Sequence, residues 1–284
     1  MTDASRRVVI VTDSTSDIPP NLGASLNIAV VPLSVRFGDE VFLDRVEMSQ
    51  AEFLERLGTS SELPRTSQPS TAMFEDAFRA AINADFDVVC ITIASKLSGT
   101  FNAARLASET VNPVRVHIID SQTVSMALGW AVIAAAREAK IGKSTGDVTA
   151  AAKEALTRSQ LYAVLETLDY AHRGGRIGRA SHLIGSMLSI KPILTVRGGE
   201  VTPLERVRTW SKAIARIAEL AKAHAPLESL AVAHAGNPED AQRLAGELRD
   251  LVPDDQFVLC DVGPVIATYA GPGAVGIFPL IARA

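Results

Sequence analysis

The chain has 284 residues, 47% hydrophobic but only 5% aromatic, and its 28 basic and 32 acidic side chains leave a net charge of −4. That balance argues against a nucleic-acid binder and against a protein held electrostatically on a membrane, both of which need an extensive basic surface. The aliphatic bias suits buried parallel strands covered by helices, and the length accommodates two domains or one large α/β domain.

In chain order, the first apolar run is Val8–Thr12, which ends in Asp13-Ser14-Thr15-Ser16-Asp17. Runs rich in β-branched residues follow at Ile28–Val35, Val88–Ile93 and Val116–Ile119, and each reads as a strand. Between them Phe74, Ala77, Phe78, Ala81 and Ile82 recur at helical spacing, and the Ala-rich stretch Val124–Lys140 forms a second helical period that ends before Gly142. This alternation predicts βαβ units and a mostly parallel sheet. In such sheets ligands bind outside the carboxyl ends of the strands. Asp13, Ser95, Ser98 and Asp120 stand at those ends, which describes a polar cleft, with turn and cap roles as the alternative.

Beyond a polar stretch at Ile141–Thr145, strands are expected at Leu161–Glu166, Ile190–Val196, Ser229–His234, Phe257–Val262 and Val275–Pro279. They mix with helices around Trp210–His224 and Pro238–Leu251. A domain boundary near residue 158 then gives an N-terminal α/β domain over 1–158 and a C-terminal α/β domain with a mixed sheet over 159–284.

Two hydroxyl-rich segments carry most of the functional signal: Thr66-Ser67-Gln68-Pro69-Ser70 and Ser95-Lys96-Leu97-Ser98-Gly99-Thr100. Each is expected to open a helix, where free backbone N–H groups and the positive dipole end favour an anion. The competing reading is that Ser70 and Ser98 only cap helices. The stretch His172-Arg173-Gly174-Gly175-Arg176-Ile177-Gly178-Arg179 is the one concentrated basic patch. An Arg on a Gly-rich turn can pair bidentately with a carboxylate or phosphate, and Arg176 fits that role best.

Other chemistries lack a case. Gly271-Pro272-Gly273-Ala274-Val275-Gly276 matches G-x-G-x-x-G on paper, but only eight residues follow and they read as strand, so a dinucleotide site is rejected. Asp13 lacks the second acid of a D-x-D phosphotransferase, its place being taken by Thr15. Ser98 stands in Leu-Ser-Gly-Thr with no identifiable base, so no catalytic residue is assigned. Cys90 and Cys260 sit in apolar runs as core thiols, and the five histidines are scattered, so neither a disulfide nor a metal site is expected. No apolar run reaches the roughly 20 residues of a membrane span, and Met1–Arg7 leads into a strand without a cleavable apolar region. The expectation is a cytoplasmic protein without integral membrane association.

Taken together and in order, these motifs resemble the DegV family, which includes the fatty-acid-binding subunits of bacterial fatty acid kinase. The resemblance runs from Val11-Thr12-Asp13-Ser14-Thr15-Ser16-Asp17 to the Gly271–Gly276 motif. It passes through both hydroxyl segments, Arg173-Gly174-Gly175-Arg176-Ile177 and Leu188-Ser189-Ile190-Lys191-Pro192-Ile193-Leu194. It implies a two-domain DegV-like α/β fold enclosing a long-chain fatty acid such as hexadecanoate between the domains, with no other cofactor. By position, Thr66 and Ser98 would bind the carboxylate and Arg176 would lie close to it, with Ser95, Gly99 and Tyr269 as head-group neighbours. The resemblance also implies a non-catalytic carrier that presents the acyl carboxylate to a kinase subunit. The family commonly places His where Tyr269 stands, and Tyr offers a hydrogen bond without a cationic form near neutral pH. Leu183, Ile184, Met187 and Leu188 form a candidate wall for the acyl chain. The competing class is an enzyme acting on a phosphorylated or carboxylated metabolite in the same cleft.

Overall fold

The structure, a computed structural model, describes residues 6–186 and 190–283, and the side chains of all of these except 184–186. Its elements begin β1 (Val8–Asp13), α1 (Pro20–Ser25), β2 (Ile28–Val31), β3 (Ser34–Phe37), β4 (Glu40–Leu43), α2 (Gln50–Thr59) and β5 (Arg65–Ser67). They continue with α3 (Thr71–Asn83), β6 (Asp87–Thr92), α4 (Thr100–Val111), β7 (Val116–Asp120), α5 (Met126–Lys140) and α6 (Thr145–Arg158). The remainder is β8 (Tyr162–Val164), α7 (Asp169–Arg173), β9 (Lys191–Arg197), β10 (Glu200–Val207), α8 (Trp210–Lys222), β11 (Leu227–His234), α9 (Pro238–Leu248), β12 (Phe257–Asp261), α10 (Pro264–Ala270) and β13 (Val275–Ile281).

The chain divides into two compact units, and the division is not a single break. The first unit is the chain up to Leu33 together with Gln68–Thr157, and the second is Ser34–Ser67 together with the chain from Arg158. The run Ile28–Val35, expected as one strand, is cut by Pro32, which has no N–H to donate. Its first part stays in one unit as β2 and its last part enters the other as β3.

The first unit is built on a fully parallel four-stranded sheet in the order β2-β1-β6-β7. On one face α3 and α4 bury Phe74, Phe78, Ala103, Ala104 and Ala107 against Val11, Val88 and Cys90. The small side chains of α4 let the two helices approach closely, and the rings of Phe74 and Phe78 meet at 5.8 Å. The helix α5, apolar nearly all round, buries Met126, Leu128, Trp130 and Ile133. The strand order reverses between β1 and β6, and the crevice at such a reversal is where open α/β sheets hold ligands.

The second unit has a six-stranded mixed sheet in the order β10-β9-β8-β13-β11-β12, in which only β11 and β12 pair in parallel. Its core packs Ile214 and Ile217 of α8 and Leu244 and Leu248 of α9 on Ile193, Val232 and Ile277. A three-stranded antiparallel sheet, β4-β3-β5, comes from the inserted segment Ser34–Ser67. Gln50 of α2 fastens this segment to the rest of its unit, its Nε2 donating to the carbonyls of His234 at 2.6 Å and Val262 at 3.1 Å. Asp44 adds a second tie by accepting the Val265 N–H at 3.3 Å.

Candidate functional site

Each unit holds part of the set of residues singled out from the sequence. In the second unit, Thr66 lies on β5, paired opposite Val35 of β3. The expectation that its segment opens a helix holds only for the later residues. Ser70 caps α3 by accepting the Met73 N–H at 3.3 Å, while Thr66 is four residues upstream on an edge strand. Thr66 therefore belongs with the second unit, not with the N-terminal domain expected to carry both hydroxyls.

Tyr269, on α10, brings its hydroxyl within 2.5 Å of Thr66 Oγ1. The Arg176 guanidinium stands 5.4 Å from the centroid of the same ring, and its Nη1 donates to the Gly174 carbonyl at 3.0 Å. Three separate segments thus meet at one point: β5, the turn after α7, and α10. Glycines make the approach possible. A Cβ on Gly174 would fall 2.5 Å from the Tyr269 ring, and one on Gly271 would fall 2.4 Å from the ring of Tyr170. The two tyrosines, one on each helix, therefore rest on each other's glycine.

These residues line a cavity of about 540 Å³ that also includes Glu62, Arg65 and Arg173. Three arginines against one glutamate give its lining a positive balance, and Thr66 and Tyr269 add hydroxyls. The arrangement can receive an anion by charge and by hydrogen bonds at once. Tyr170 and Arg65 were not singled out from the sequence, and Gly271 was named only as part of a motif, with no place at this site. The G-P-G motif was the available signal for Gly271, and its positive φ of 74° gives a physical reason for glycine there.

In the first unit, Ser98 lies in the loop between β6 and α4, at the reversal of strand order. Its Oγ is 2.8 Å from Thr100 Oγ1 and accepts the Thr100 N–H at 3.3 Å. Gly99 is covered by the side chain of Gln68, since a Cβ there would fall 1.8 Å from Gln68 Oε1. The two motifs are thus in direct contact within this unit, through Gln68 rather than Thr66. Ser95 is exposed and committed to Asp120, donating its hydroxyl at 2.6 Å and its backbone N–H at 3.1 Å.

Asp13 is fully buried and holds the ends of β1 and β6 together. Its oxygens accept from Thr15 N at 3.0 Å, Thr15 Oγ1 at 2.5 Å and Ile93 N at 2.8 Å. Burial pushes its carboxyl up to about 6, an effect that the hydrogen bonds from Thr15 and Ile93 partly offset. Accepting from Thr15 and Ile93 in this way, Asp13 acts as a strut between the two strand ends. Of the proposed acyl wall, Leu183 is fully buried, while Met187 and Leu188 and the side chain of Ile184 lie outside the described residues. Among the described residues no cluster of His, Cys, Asp or Glu could hold a metal ion, and no helix is long and apolar enough to cross a membrane.

The DegV family model, described as an uncharacterised protein family, matches residues 7–281. A DegV domain-containing protein of Streptomyces coelicolor is 38% identical over 277 residues, covering 96% of this chain and 98% of that protein. Among solved structures, a DegV family protein of Thermus thermophilus, described for its fatty acid binding, superimposes with a TM-score of 0.90 at 31% identity. That match covers 97% of this chain and 100% of the other. DegV of Bacillus subtilis, described as a fatty acid binding protein, gives a TM-score of 0.87 at 32% identity over 97% of this chain and all of its own. By sequence along nearly its whole length, and by fold, the chain belongs to the DegV family.

Proposed function

We propose that this protein binds a long-chain fatty acid, with hydroxyls of Thr66 and Ser98 donating to the carboxylate and Arg176 supplying the compensating charge. The observation that carries the reading is the meeting of Thr66, Tyr269 and Arg176 at one cavity, in a chain whose structural relatives include proteins described as fatty acid binding. Energetics favour an acyl ligand of this length. A chain of about 16 carbons gains roughly 0.8 kcal/mol for each CH₂ removed from water, a sum of about 12 kcal/mol that is comparable to the cost of association and is supplemented by the head-group bonds. The protein itself then performs no chemistry. It offers the carboxylate to a separate fatty acid kinase subunit, and its own part is to bind and to orient.

Native mass spectrometry of the purified protein tests the reading. We expect a retained mass of one long-chain fatty acid per chain, released by organic solvent and restored by added hexadecanoate. No lipid in protein from several hosts, together with no uptake of hexadecanoate, would overturn it. Consumption of a fatty acid with no partner present would overturn the carrier role.

A further inference from the structure

Thr66 and Tyr269 reach each other from β5 and α10, and their oxygens are 2.5 Å apart. Each hydroxyl has a single proton, so one of the pair donates to the other and one proton remains for a third group. Phenolic hydroxyls are stronger donors than aliphatic ones, which makes Tyr269 the donor within the pair. The Thr66 oxygen then accepts one hydrogen bond, keeping a second lone pair, and its own proton points onward. A hydroxyl that accepts from a neighbour is also polarised into a stronger donor. The same Tyr269 ring lies 5.4 Å from the Arg176 guanidinium, which also donates to the Gly174 carbonyl at 3.0 Å.

We infer, resting on the fatty-acid reading above, that Tyr269 is a positioning residue that directs the Thr66 proton toward the ligand and holds Arg176 beside it. The directed donor then favours a strong charged acceptor, as an ionised carboxylate is, over the weaker neutral acceptor of an alcohol. Tyr269 acts through Thr66 and Arg176, and its two roles reside in different atoms, the hydroxyl and the ring.

Substitution separates them. Tyr269→Phe keeps the ring beneath Arg176 and removes the hydroxyl. Hexadecanoate affinity should fall about three- to tenfold, the worth of one hydrogen bond. The preference for hexadecanoate over hexadecan-1-ol should narrow as well, because a Thr66 proton no longer directed and strengthened by Tyr269 gains less from the charged acceptor. Tyr269→Leu removes both roles and should lose more. In a Thr66→Val background, Tyr269→Phe should cost nothing further, and in an Arg176→Gln background Tyr269→Leu should be no worse than Tyr269→Phe. Titration of hexadecanoate and hexadecan-1-ol into these variants decides the matter. If the parent protein binds no hexadecanoate, the fatty-acid reading itself fails. If the parent binds but the Thr66→Val and Tyr269→Phe losses simply add, or the preference for acid over alcohol does not move, the positioning role alone is overturned.

Discussion

The ring of Tyr170 fills the space that a side chain on Gly271 would need, and the ring of Tyr269 does the same above Gly174. This reciprocal seating of α7 and α10 sets where Arg176 and Tyr269 stand, and the glycines around it respond to substitution in different ways. Gly174 has an ordinary φ of −79°, so Ala there meets chiefly the Tyr269 ring, 2.5 Å from the new Cβ, with the Tyr170 carbonyl oxygen next at 3.1 Å. Gly175 has open space around it but a φ of 71°, so Ala there meets only backbone strain. Both substitutions should destabilise the protein, Gly174→Ala by about 1–3 kcal/mol through overpacking. Only Gly174→Ala should also weaken hexadecanoate binding, because it displaces the ring that partners Thr66 and Arg176. Urea unfolding paired with ligand titration distinguishes the two, and equal losses of affinity would disprove this.

Thr66→Ala and Ser98→Ala should each weaken hexadecanoate binding without unfolding the protein. A hydrogen bond to a charged group is worth roughly 1.5–3 kcal/mol, so each loss should be about ten- to a hundredfold. Since both hydroxyls are proposed to serve one carboxylate, the double variant should lose less than the sum. Unchanged affinity for Ser98→Ala would leave Ser98 as the turn residue its bond to the Thr100 N–H already makes it.

Asp13 provides a pH test that is independent of any ligand. Its ordinary value of 3.8 is raised to about 6 by burial, so the folded protein holds this proton more tightly than the unfolded chain. The raised value makes this group's contribution to stability fall as pH rises from about 4 to about 6. Asp13→Asn should abolish that part of the slope. It should also cost about 1–3 kcal/mol, because an amide NH₂ must face a backbone N–H that an oxygen now accepts. Denaturant midpoints of parent and variant across this range check both statements, and parallel pH profiles would show that Asp13 does not titrate there.

Much of the architecture was legible because burial on both faces forces continuous β-branched runs. Val88–Ile93 and Val116–Ile119 became β6 and β7 nearly as expected, and Val124–Lys140 became α5. The edge strands β4, β5 and β10 were harder to read than the edge strand β7. β10 carries Pro203 and four polar residues and is interrupted by a register shift at Pro203 and Glu205, which an edge tolerates and a central strand does not. The short strands β4 and β5 carry no alternation long enough to read. At the site, the motifs named Thr66, Ser98 and Arg176, but spacing alone could not show that Thr66 faces Tyr269, 203 positions away. Nor could it show that Ser95 is held by Asp120, because that bond depends on β6 and β7 being neighbours in the sheet.

The inserted segment Ser34–Ser67 sets an order of events during synthesis. Its apolar residues Val35, Phe37 and Phe53 are buried in the finished protein, and α2, β3 and β5 pack on α10. Yet α10 is Pro264–Ala270, near the far end of the chain. At roughly 5–20 residues per second, a ribosome needs on the order of ten to forty seconds to travel from one to the other. For that interval the three-stranded sheet bearing Thr66 has emerged without the helix that will carry its hydroxyl partner. Half of the head-group pocket is therefore made early and must wait, and a nascent chain stalled before Pro264 would display those phenylalanines to whatever else the cell holds.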